Sequence, residues 1–203
     1  MTEEYSYQLK ISKSRLGALI GKKGEIKKEL EEATHSHIEV DSKEGDITII
    51  GKDTLGLYSA REEIRAIGRG FNPEIAKLLL KQDYVLEIVS IKDFTGKSKN
   101  KMMRMKGRVI GTEGKTRRLV EQMTETGISV FGKTISVVGR SDQAMVALRA
   151  VESLLSGSPH ASVYKWLEKK RREMKRREFE EMHIWKKAQQ EGWKGGEGRE
   201  KNL

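Results

Sequence analysis

The stretch IGKKGEIKKELEEATHSHIEV (residues 20–40) is matched, without a gap, by IGTEGKTRRLVEQMTETGISV (residues 110–130). Each copy reads Ile-Gly-x-x-Gly, then a stretch with helical periodicity, then a short β-like end. A further β-like segment follows in both copies, as DITIIG (residues 46–51) and TISVVG (residues 134–139). Because these segments recur in the same order, the chain is predicted to contain two copies of one small structural unit.

The segments around each copy predict the same order of elements: strand, helix, Gly-x-x-Gly loop, helix, strand, strand and helix. The first strand is predicted where apolar residues alternate to form one half-buried face, at Tyr5, Tyr7, Leu9 and Ile11. Between the copies, a short helix is predicted to begin at Pro73. The elements of the second copy are predicted at residues 84–91, 101–109, 115–126, 128–131, 134–138 and 142–155.

The two glycines of the first loop, Gly21 and Gly24, enclose Lys22 and Lys23. A loop that opens a helix presents unpaired backbone N–H groups and the positive end of the helix dipole, which together suit a phosphate group. Glycine lets the backbone approach that phosphate and adopts positive φ without strain. The alternative is a plain turn between two helices. Two copies, at the same place in a repeated order of elements, favour nucleic-acid binding.

The composition of the 203 residues supports this interpretation. The chain carries 40 Lys+Arg against 30 Asp+Glu, a net charge of +10, which favours nucleic acid ahead of an anionic membrane. Cysteine is absent, which excludes disulfides, thiol catalysis and cysteine-ligated metals. Residues 1–20 lack an apolar signal-peptide core and no run is long enough to span a membrane, so we expect a cytoplasmic protein. High charge with few Asn and Gln fits a heat-adapted source.

The short motifs give only weak evidence for other functions, such as ATP hydrolysis or metal binding. GTEGKT (residues 111–116) ends like the phosphate-binding loop of an ATPase, but that loop needs a glycine where Val109 stands. His35 and His37 alternate on a strand, but a third metal ligand is missing nearby. Neither a Ser-His-Asp pattern nor a paired-carboxylate pattern stands out. We therefore predict no enzymatic activity, no cofactor and no metal.

The repeated order of elements resembles the KH domain of type I. One strand precedes Gly21, which leaves no room for the amino-terminal extension of type II. The resemblance implies an α+β fold of two type I KH domains, each βααββα with a three-stranded antiparallel sheet and three helices, followed by a long basic C-terminal helix. In this family the loop holds about four nucleotides of single-stranded RNA, and the bases lie over an apolar groove.

The resemblance assigns the RNA contacts to the two loops and the basic residues beside them. The first site comprises Ile20, Gly21, Lys22, Lys23, Gly24, Lys27 and Lys28, and the second comprises Lys106, Arg108, Ile110, Gly111, Thr112, Glu113, Gly114, Lys115, Arg117 and Arg118. The groove floors are expected at Leu16, Leu19, Ile20, Ile26 and Ile38, and at Val109, Ile110, Thr116, Ile128 and Val130. Glu113 departs from the basic preference of the loop, although neighbouring cations outnumber it.

A closer resemblance lies in RMKGRVIGTEGKTRRLVEQMTETGISVFGKTISVVG (residues 104–139) and RGFNPEIAKLLL (residues 69–80). These segments are similar to the archaeal and eukaryotic ribosome-assembly proteins of the Krr type, or partner-of-Nob type. The resemblance implies binding of small-subunit ribosomal RNA near its 3′ end, with other assembly or translation proteins as candidate partners and no membrane. Two alternatives stay open: a transcription elongation factor with paired KH domains, ordinarily of type II topology, and a scaffold in which one KH domain docks a protein.

The predicted boundaries are residues 1–70 for the first KH domain, 71–83 for a linker with a short helix, 84–158 for the second KH domain, 159–191 for the basic helix and 192–203 for a disordered tail. Along the basic helix, apolar residues are expected on one stripe at Val163, Leu167, Met174, Met182 and Trp185. Three hypotheses remain for this helix, of which membrane binding is the least favoured. It packs on the second KH domain with a solvated charged face, or it also contacts RNA phosphates through KKRREMKRR (residues 169–177).

Overall fold

The computed structural model describes residues 4–194, apart from the side chains of residue 188 and residues 190–194. The first repeat contains β1 (Tyr5–Lys10), α1 (Lys13–Ile20), α2 (Glu25–Thr34), β2 (Ser36–Val40), β3 (Asp46–Gly51) and α3 (Thr54–Gly68). A 3-10 turn, Lys22–Gly24, joins α1 to α2. This is the predicted βααββα order.

The second repeat follows a connecting segment that contains α4 (Pro73–Ala76) and a 3-10 turn (Lys77–Leu80). Its elements are β4 (Tyr84–Ser90), α5 (Lys92–Thr95), α6 (Lys99–Ile110), α7 (Lys115–Thr124), β5 (Gly127–Phe131), β6 (Thr134–Arg140) and α8 (Ser141–Leu155), and α9 (His160–Lys194) comes last. The second repeat differs from the first by the single turn of α5, which the sequence pattern does not predict, and by the greater length of α6, which has 12 residues where α1 has 8.

Each repeat is built on a three-stranded antiparallel sheet whose last strand lies in the middle. The strand order is β1-β3-β2 in the first sheet and β4-β6-β5 in the second. In the first sheet, Leu9 and Ile47 are paired, as are Ile38 and Ile49. One strand precedes the first helix pair, and two strands and a helix follow it, as a type I KH domain requires. The predicted α+β fold is therefore confirmed.

The two repeats also share individual side-chain contacts. The carboxylate of Glu31 on α2 accepts a hydrogen bond from the backbone N–H of Ile38, at 2.7 Å. Ninety residues further on (121 − 31 = 90), the carboxylate of Glu121 accepts one from the N–H of Ile128, at 2.8 Å. In each repeat this contact ties the helix after the loop to the strand that follows it, so the two copies are positioned alike.

The connecting segment is packed structure and not a loose linker. Phe71, Ala76 and Leu79 are buried in the hydrophobic core of the first repeat, and Val138 of β6 is buried in the same core. An apolar cluster that continues from one repeat into the other holds the two together.

The outer end of β1 is more exposed than its alternation predicts. Tyr5 and Tyr7 are 44% and 39% exposed, whereas Ile11 is buried. The end of α3 covers the Ile11 end of the strand, because Gly68 lies directly against the Ile11 side chain. The tyrosines lie beyond this cover, and the guanidinium of Arg61 sits 5.6 Å from the ring centre of Tyr7. The predicted half-buried face is therefore wrong for the two tyrosines.

The helix α9 packs on the second repeat through its first turns and then leaves it. Val163 and Leu167 are buried, while Met182 and Trp185 are 52% and 61% exposed. The predicted apolar stripe is thus correct only for the start of the helix. Residues 192–194, predicted as tail, belong to α9, and the rest of the predicted disordered tail lies outside the described residues. Within residues 4–194, the helices are too short or too polar to cross a membrane.

Candidate nucleic-acid interface

The two Gly-x-x-Gly loops have the same backbone conformation. Three of the four residues in each loop have positive φ. They are Gly21 (φ 74°), Lys23 (φ 54°) and Gly24 (φ 83°) in the first loop, and Gly111 (φ 73°), Glu113 (φ 53°) and Gly114 (φ 76°) in the second. Such dihedrals turn the chain tightly between two helices, and they favour glycine at the first and last positions.

The two glycines of each loop have different surroundings. A Cβ on Gly111 would overlap the side chain of Thr116, whereas a Cβ on Gly114 would meet no heavy atom within 4 Å. The first loop shows the same contrast between Gly21 and Gly24. The first glycine therefore lets the loop pack against the following helix, and the second leaves the backbone open to a ligand.

Both helices that follow the loops begin without a side-chain cap. The N-cap residues are Gly24 for α2 and Gly114 for α7, and neither helix has a side-chain hydrogen bond at its cap. The first N–H of each helix, that of Glu25 or Lys115, donates to a carbonyl of the preceding 3-10 turn. No side chain covers the helix start, and the helix dipole makes this end positive. Phosphate binding at the two loops stays a prediction.

The basic residues of the first site differ in how strongly they are neutralised. Lys22 and Lys23 are exposed, and neither forms an ion pair within the described part of the chain. Lys27 lies 3.7 Å from Glu31, and Lys28 lies 4.0 Å from Glu32. The Lys28 pair is exposed, and such pairs are worth little, whereas the Lys27 pair is half-buried. Lys22, Lys23 and Lys28 therefore contribute most of the positive potential.

The second site has a mixed charge. Thr112, Glu113 and Lys115 are exposed. Arg118 donates a hydrogen bond to the backbone carbonyl of Glu113, at 2.6 Å, and therefore stays beside the loop. Arg117 lies 3.7 Å from the carboxylate of Glu121. The loop thus carries one carboxylate, with Lys115 and Arg118 on the helix next to it.

Arg108 is occupied by contacts within the protein. Its Nε donates to the carbonyl of Leu154 at 3.1 Å, and its Nη2 donates to the carbonyl of Ser158 at 2.5 Å. Its guanidinium closes the end of α8, which gives Arg108 a structural role, and the RNA contact of Arg108 stays a prediction. Lys106, two residues earlier on α6, is half-buried and remains a candidate for RNA contact.

The predicted groove floors divide into buried and accessible residues. Six of them are buried in the two cores and cannot meet a base, namely Leu16, Leu19, Ile38, Val109, Thr116 and Ile128. Four are half-buried and remain candidates, namely Ile20, Ile26, Ile110 and Val130. Helical and strand periodicity locates apolar positions but does not separate those that face the core from those that face a groove, which is why the prediction was too broad.

The helix α9 braces the second loop, a contact that the sequence pattern did not predict. The hydroxyls of Tyr164 and Thr116 share a hydrogen bond of 2.9 Å at the start of α7. The ring Nε2 of His160 is hydrogen-bonded to the carbonyl of Arg108, at 2.9 Å, near the end of α6. The helices on both sides of the loop are thereby joined to α9. In the first repeat the position of Thr116 is taken by Ile26, and this polar substitution was the one available clue.

A metal site is not supported by the histidine pair. His35 ends α2 in the left-handed conformation, and the ring of His37 lies 3.1 Å from the carboxylate of Glu31. Over the described residues, no group of three or more His, Cys, Asp and Glu is arranged to hold a metal ion.

Two protein-family models match the chain. A model of the second KH domain of PNO1, described as "Eukaryotic type KH-domain (KH-domain type I)", matches residues 85–172, and a KH domain model matches residues 6–66. The first match includes the start of α9. With the sheet order and the two loops, these matches define a tandem KH protein of type I.

Similar proteins make the assignment more specific. The chain is 48% identical over 183 residues to a KH domain-containing protein of Methanocaldococcus jannaschii, which covers 88% of this chain and 78% of that protein. It is 40% identical to the protein in the crystal structure of an a/eIF2alpha-aDim2p-rRNA complex from Pyrococcus horikoshii, with a TM-score of 0.78, covering 84% and 96% of the two chains. It is 31% identical over 113 residues to the pre-rRNA-processing protein PNO1 of Coccidioides immitis, covering 55% of this chain and 44% of that protein.

The chain belongs to the PNO1/Dim2 family of tandem KH RNA-binding proteins. The resemblance to partner-of-Nob-type proteins is therefore confirmed. The chain spans less than half the length of its eukaryotic relative from Coccidioides immitis.

Proposed function

We propose that this protein binds single-stranded RNA through its two Gly-x-x-Gly loops, and that its target is small-subunit ribosomal RNA near the 3′ end. The main support is the shared loop geometry, in which an open glycine precedes an uncapped helix in both repeats. Two relatives add support, because one is a pre-rRNA-processing protein and the structure of the other is that of a complex with rRNA. We further propose that the protein acts in the cytoplasm as a non-catalytic assembly factor.

A second function, the docking of a protein on one KH domain, is favoured by one observation. The Pyrococcus complex also contains a/eIF2alpha, so a relative of this chain forms an assembly with both RNA and a translation factor. The two functions are compatible if one domain holds RNA and the other a protein. The transcription elongation alternative is weakened, because both sheets have type I topology.

The loops can be tested by placing carboxylates where the phosphate is expected. In the second loop, Thr112→Asp with Glu113→Asp retains both glycines. In the first loop, Lys22→Asp with Lys23→Asp changes the local charge by four units. Acidic residues before a helix are tolerated or stabilise by about 0.3–1 kcal/mol, so the melting temperature should hardly change. RNA affinity should fall at least about tenfold, as for a loss of about 1.4 kcal/mol.

A matched control is Lys97→Asp with Lys99→Asp, which has the same charge change at exposed positions. It lies at the start of α6, about 16 Å along the helix from the loop. The probe is a single strand of about 20 nucleotides, long enough for two KH sites of about four nucleotides each, taken from the 3′ end of the small-subunit rRNA. If both loop variants stay folded and bind RNA as the control does, the loops are structural turns and the proposal fails.

A further inference from the structure

A basic cleft lies at the junction of the two repeats, away from both loops. It is formed by β1 and α3 on one side and the turn between β5 and β6 on the other, and it encloses about 420 Å³. Five cations line it: Lys10, Arg61, Arg65, Arg69 and Lys133. In the first sheet β1 is at one edge, whereas the helix that follows the loop packs on β2 at the other edge. The cleft is therefore a separate surface from the first Gly-x-x-Gly site.

The arginines of this cleft are not a requirement of the fold. Arg61 and Arg65 are one turn apart on α3, and Arg69 follows at the C-cap of the helix, so the three lie towards one face. The helices α3 and α8 are each 15 residues long and begin 87 residues apart (141 − 54 = 87). The equivalent positions of the second repeat are Leu148, Glu152 and Ser156. The first repeat, whose α3 faces the β5–β6 turn of the second repeat, thus carries the three arginines. The second repeat has the same fold without them.

Two of these arginines are held in place and leave positive charge uncompensated. Arg65 donates to both carboxylate oxygens of Glu62, at 2.6 and 2.9 Å. Arg61 lies 3.9 Å from the same carboxylate and 5.6 Å from the ring centre of Tyr7. The single carboxylate of Glu62 therefore lies beside two guanidiniums. Because these side chains are already held in place, ligand binding does not have to order them, which lowers the entropic cost of binding.

Two further cations of the cleft make no ion pair in the described part of the chain. Arg69 has one weak hydrogen bond, to the hydroxyl of Thr134 at 3.5 Å, and Lys133 is exposed on the β5–β6 turn. They come from different repeats and line the same cavity. Their positive charge is available to an anion that enters the junction.

Two exposed aromatic rings are neighbours of Arg61, which lines the cleft. Tyr58 is 52% exposed, and it lies three residues before Arg61 on α3, so the two share a face. Tyr7 is 39% exposed under the guanidinium of Arg61. Arginines combined with exposed aromatic rings are typical of surfaces that bind single strands, where the cations contact phosphates and the bases stack on the rings.

We propose that this junction cleft is a third RNA-binding site, which holds one or two backbone phosphates of a single strand and stacks a neighbouring base on Tyr58. The proposal rests on the proposed function, since the ligand is the same RNA. It differs in predicting a contact that a short RNA bound in one KH loop does not reach. Because Arg69 and Lys133 belong to different repeats, RNA in the cleft also ties the two domains together.

The test is the double variant Arg69→Gln with Lys133→Gln, compared with Lys92→Gln and Arg149→Gln, two exposed cations outside the loops and the cleft. For a single strand of about 20 nucleotides, the cleft variant should bind about tenfold more weakly at low salt. The slope of log K against log salt should fall by about 1.4, at about 0.7 for each lost phosphate contact. A strand of about four nucleotides, which fills one KH site, should bind the cleft variant as it binds the parent.

A second variant, Tyr58→Ser, tests the stacking surface at an exposed position and should weaken binding of the long strand about fivefold or more. If the loop variants lose RNA while the cleft variants match the control, the proposed function stands and the cleft proposal is overturned. If neither the loop variants nor the cleft variants lose affinity, both proposals fail. If the cleft variants bind the long strand more weakly but bind the four-nucleotide strand as the parent does, the cleft proposal is supported.

Discussion

Lys23 and Glu113 occupy the same position in the two loops, with nearly identical dihedrals (φ 54°, ψ 25° and φ 53°, ψ 25°) and opposite charges. Both are non-glycine residues in the left-handed region, which costs about 1–2 kcal/mol each. The backbone is thus dictated by the loop and not by the residue, and the charge at this position varies without a change of shape. Substitutions at Lys23 and Glu113 therefore test the effect of side-chain charge on RNA binding without a change in the conformation of the loop.

The charges at these two positions can be exchanged. Glu113→Lys should raise the affinity of the protein for single-stranded RNA, and Lys23→Glu should lower it, each by a few-fold to about tenfold. The reason is that the proposed function places a phosphate of the bound strand next to each side chain. The melting temperature should stay within about 2 °C of the parent, since the same backbone accepts both residues. RNA titrations at two salt concentrations check this. If both variants bound RNA with the affinity of the parent at low salt, neither position would be near a phosphate.

The two glycines of the second loop should respond differently to alanine. Gly111→Ala should destabilise the protein by more than the about 1–2 kcal/mol of a positive φ, because its methyl group would also overlap Thr116. Gly114→Ala has open space around it but also a positive φ of 76°. It should cost about 1–2 kcal/mol in stability, less than Gly111→Ala, yet weaken RNA binding. Urea unfolding and RNA titration of both variants measure the two effects. If Gly114→Ala left RNA affinity unchanged, direct approach of the backbone to the phosphate would be excluded.

Arg108→Gln tests whether this residue is structural. Its guanidinium bonds to the carbonyls of Leu154 and Ser158, and hydrogen bonds to charged groups are worth about 1.5–3 kcal/mol each. The variant should therefore unfold at lower urea, while the folded fraction binds RNA as the parent does. Arg15→Gln is the matched variant in the first repeat, where the guanidinium bonds to the carbonyls of Ile67 and Phe71 at 2.9 and 2.5 Å. If Arg108→Gln lost RNA affinity at unchanged stability, and Arg15→Gln did not, Arg108 would be a residue that contacts RNA.

Truncation can separate the packing and RNA-contact hypotheses for α9. A chain that ends after Glu168 keeps the buried Val163 and Leu167 and loses KKRREMKRR, whereas a chain that ends after Arg177 keeps both. The chain that ends after Arg177 should unfold at nearly the same urea concentration as the full chain, because residues 178–187 are exposed. The chain that ends after Glu168 also loses half-buried residues such as Arg171 and Met174, and it should unfold at a slightly lower urea concentration. We expect the shorter chain to bind RNA more weakly, with a smaller salt dependence. Identical RNA affinities of the two chains would leave α9 with a packing role alone.

The stability of the first repeat should depend on pH through Glu63. This residue is 1% exposed, and no hydrogen-bond partner is found for its Oε2 among the described residues. Burial raises the pKa of the Glu63 carboxyl from 4.5 to about 7, although the charge of Lys77 opposes the increase and that of Glu29 adds to it. The folded chain therefore binds this proton more tightly than the unfolded chain. Stability is fully present below pH 4.5 and falls as the pH rises towards 7.

Glu63→Gln should remove this dependence. At pH 8 the variant should be more stable than the parent by up to about 3 kcal/mol, while at pH 4.5 the two should be nearly equal. Urea unfolding at pH 4.5, 6 and 8 measures the difference, with Glu39→Gln, an exposed residue of β2, as the control. A constant difference between variant and parent over this range would mean that Glu63 is not the group that titrates.

The sequence by itself determined the repeat, the order of elements and the loops that carry the proposed RNA contacts. These features are local, since periodicity of 2 or 3.6 distinguishes strand from helix and a glycine pair marks a loop with positive φ. The lysines of the first loop were placed correctly at the surface for the same reason. Even the short helix at Pro73 was predictable, because proline favours the first turn of a helix.

Tertiary structure alone decided which face each of these elements presents. Periodicity did not show that Leu19 and Ile38 belong to the core, or that Arg108 points to the end of α8, since both depend on neighbours far along the chain. The brace between Tyr164 and Thr116 spans 48 residues, and the weak contact between Arg69 and Thr134 spans 65. Contacts at such separations arise from the packing of whole elements and leave no trace in local patterns. The junction cleft, where the arginines of one repeat meet the hairpin turn of the other, is a product of that packing.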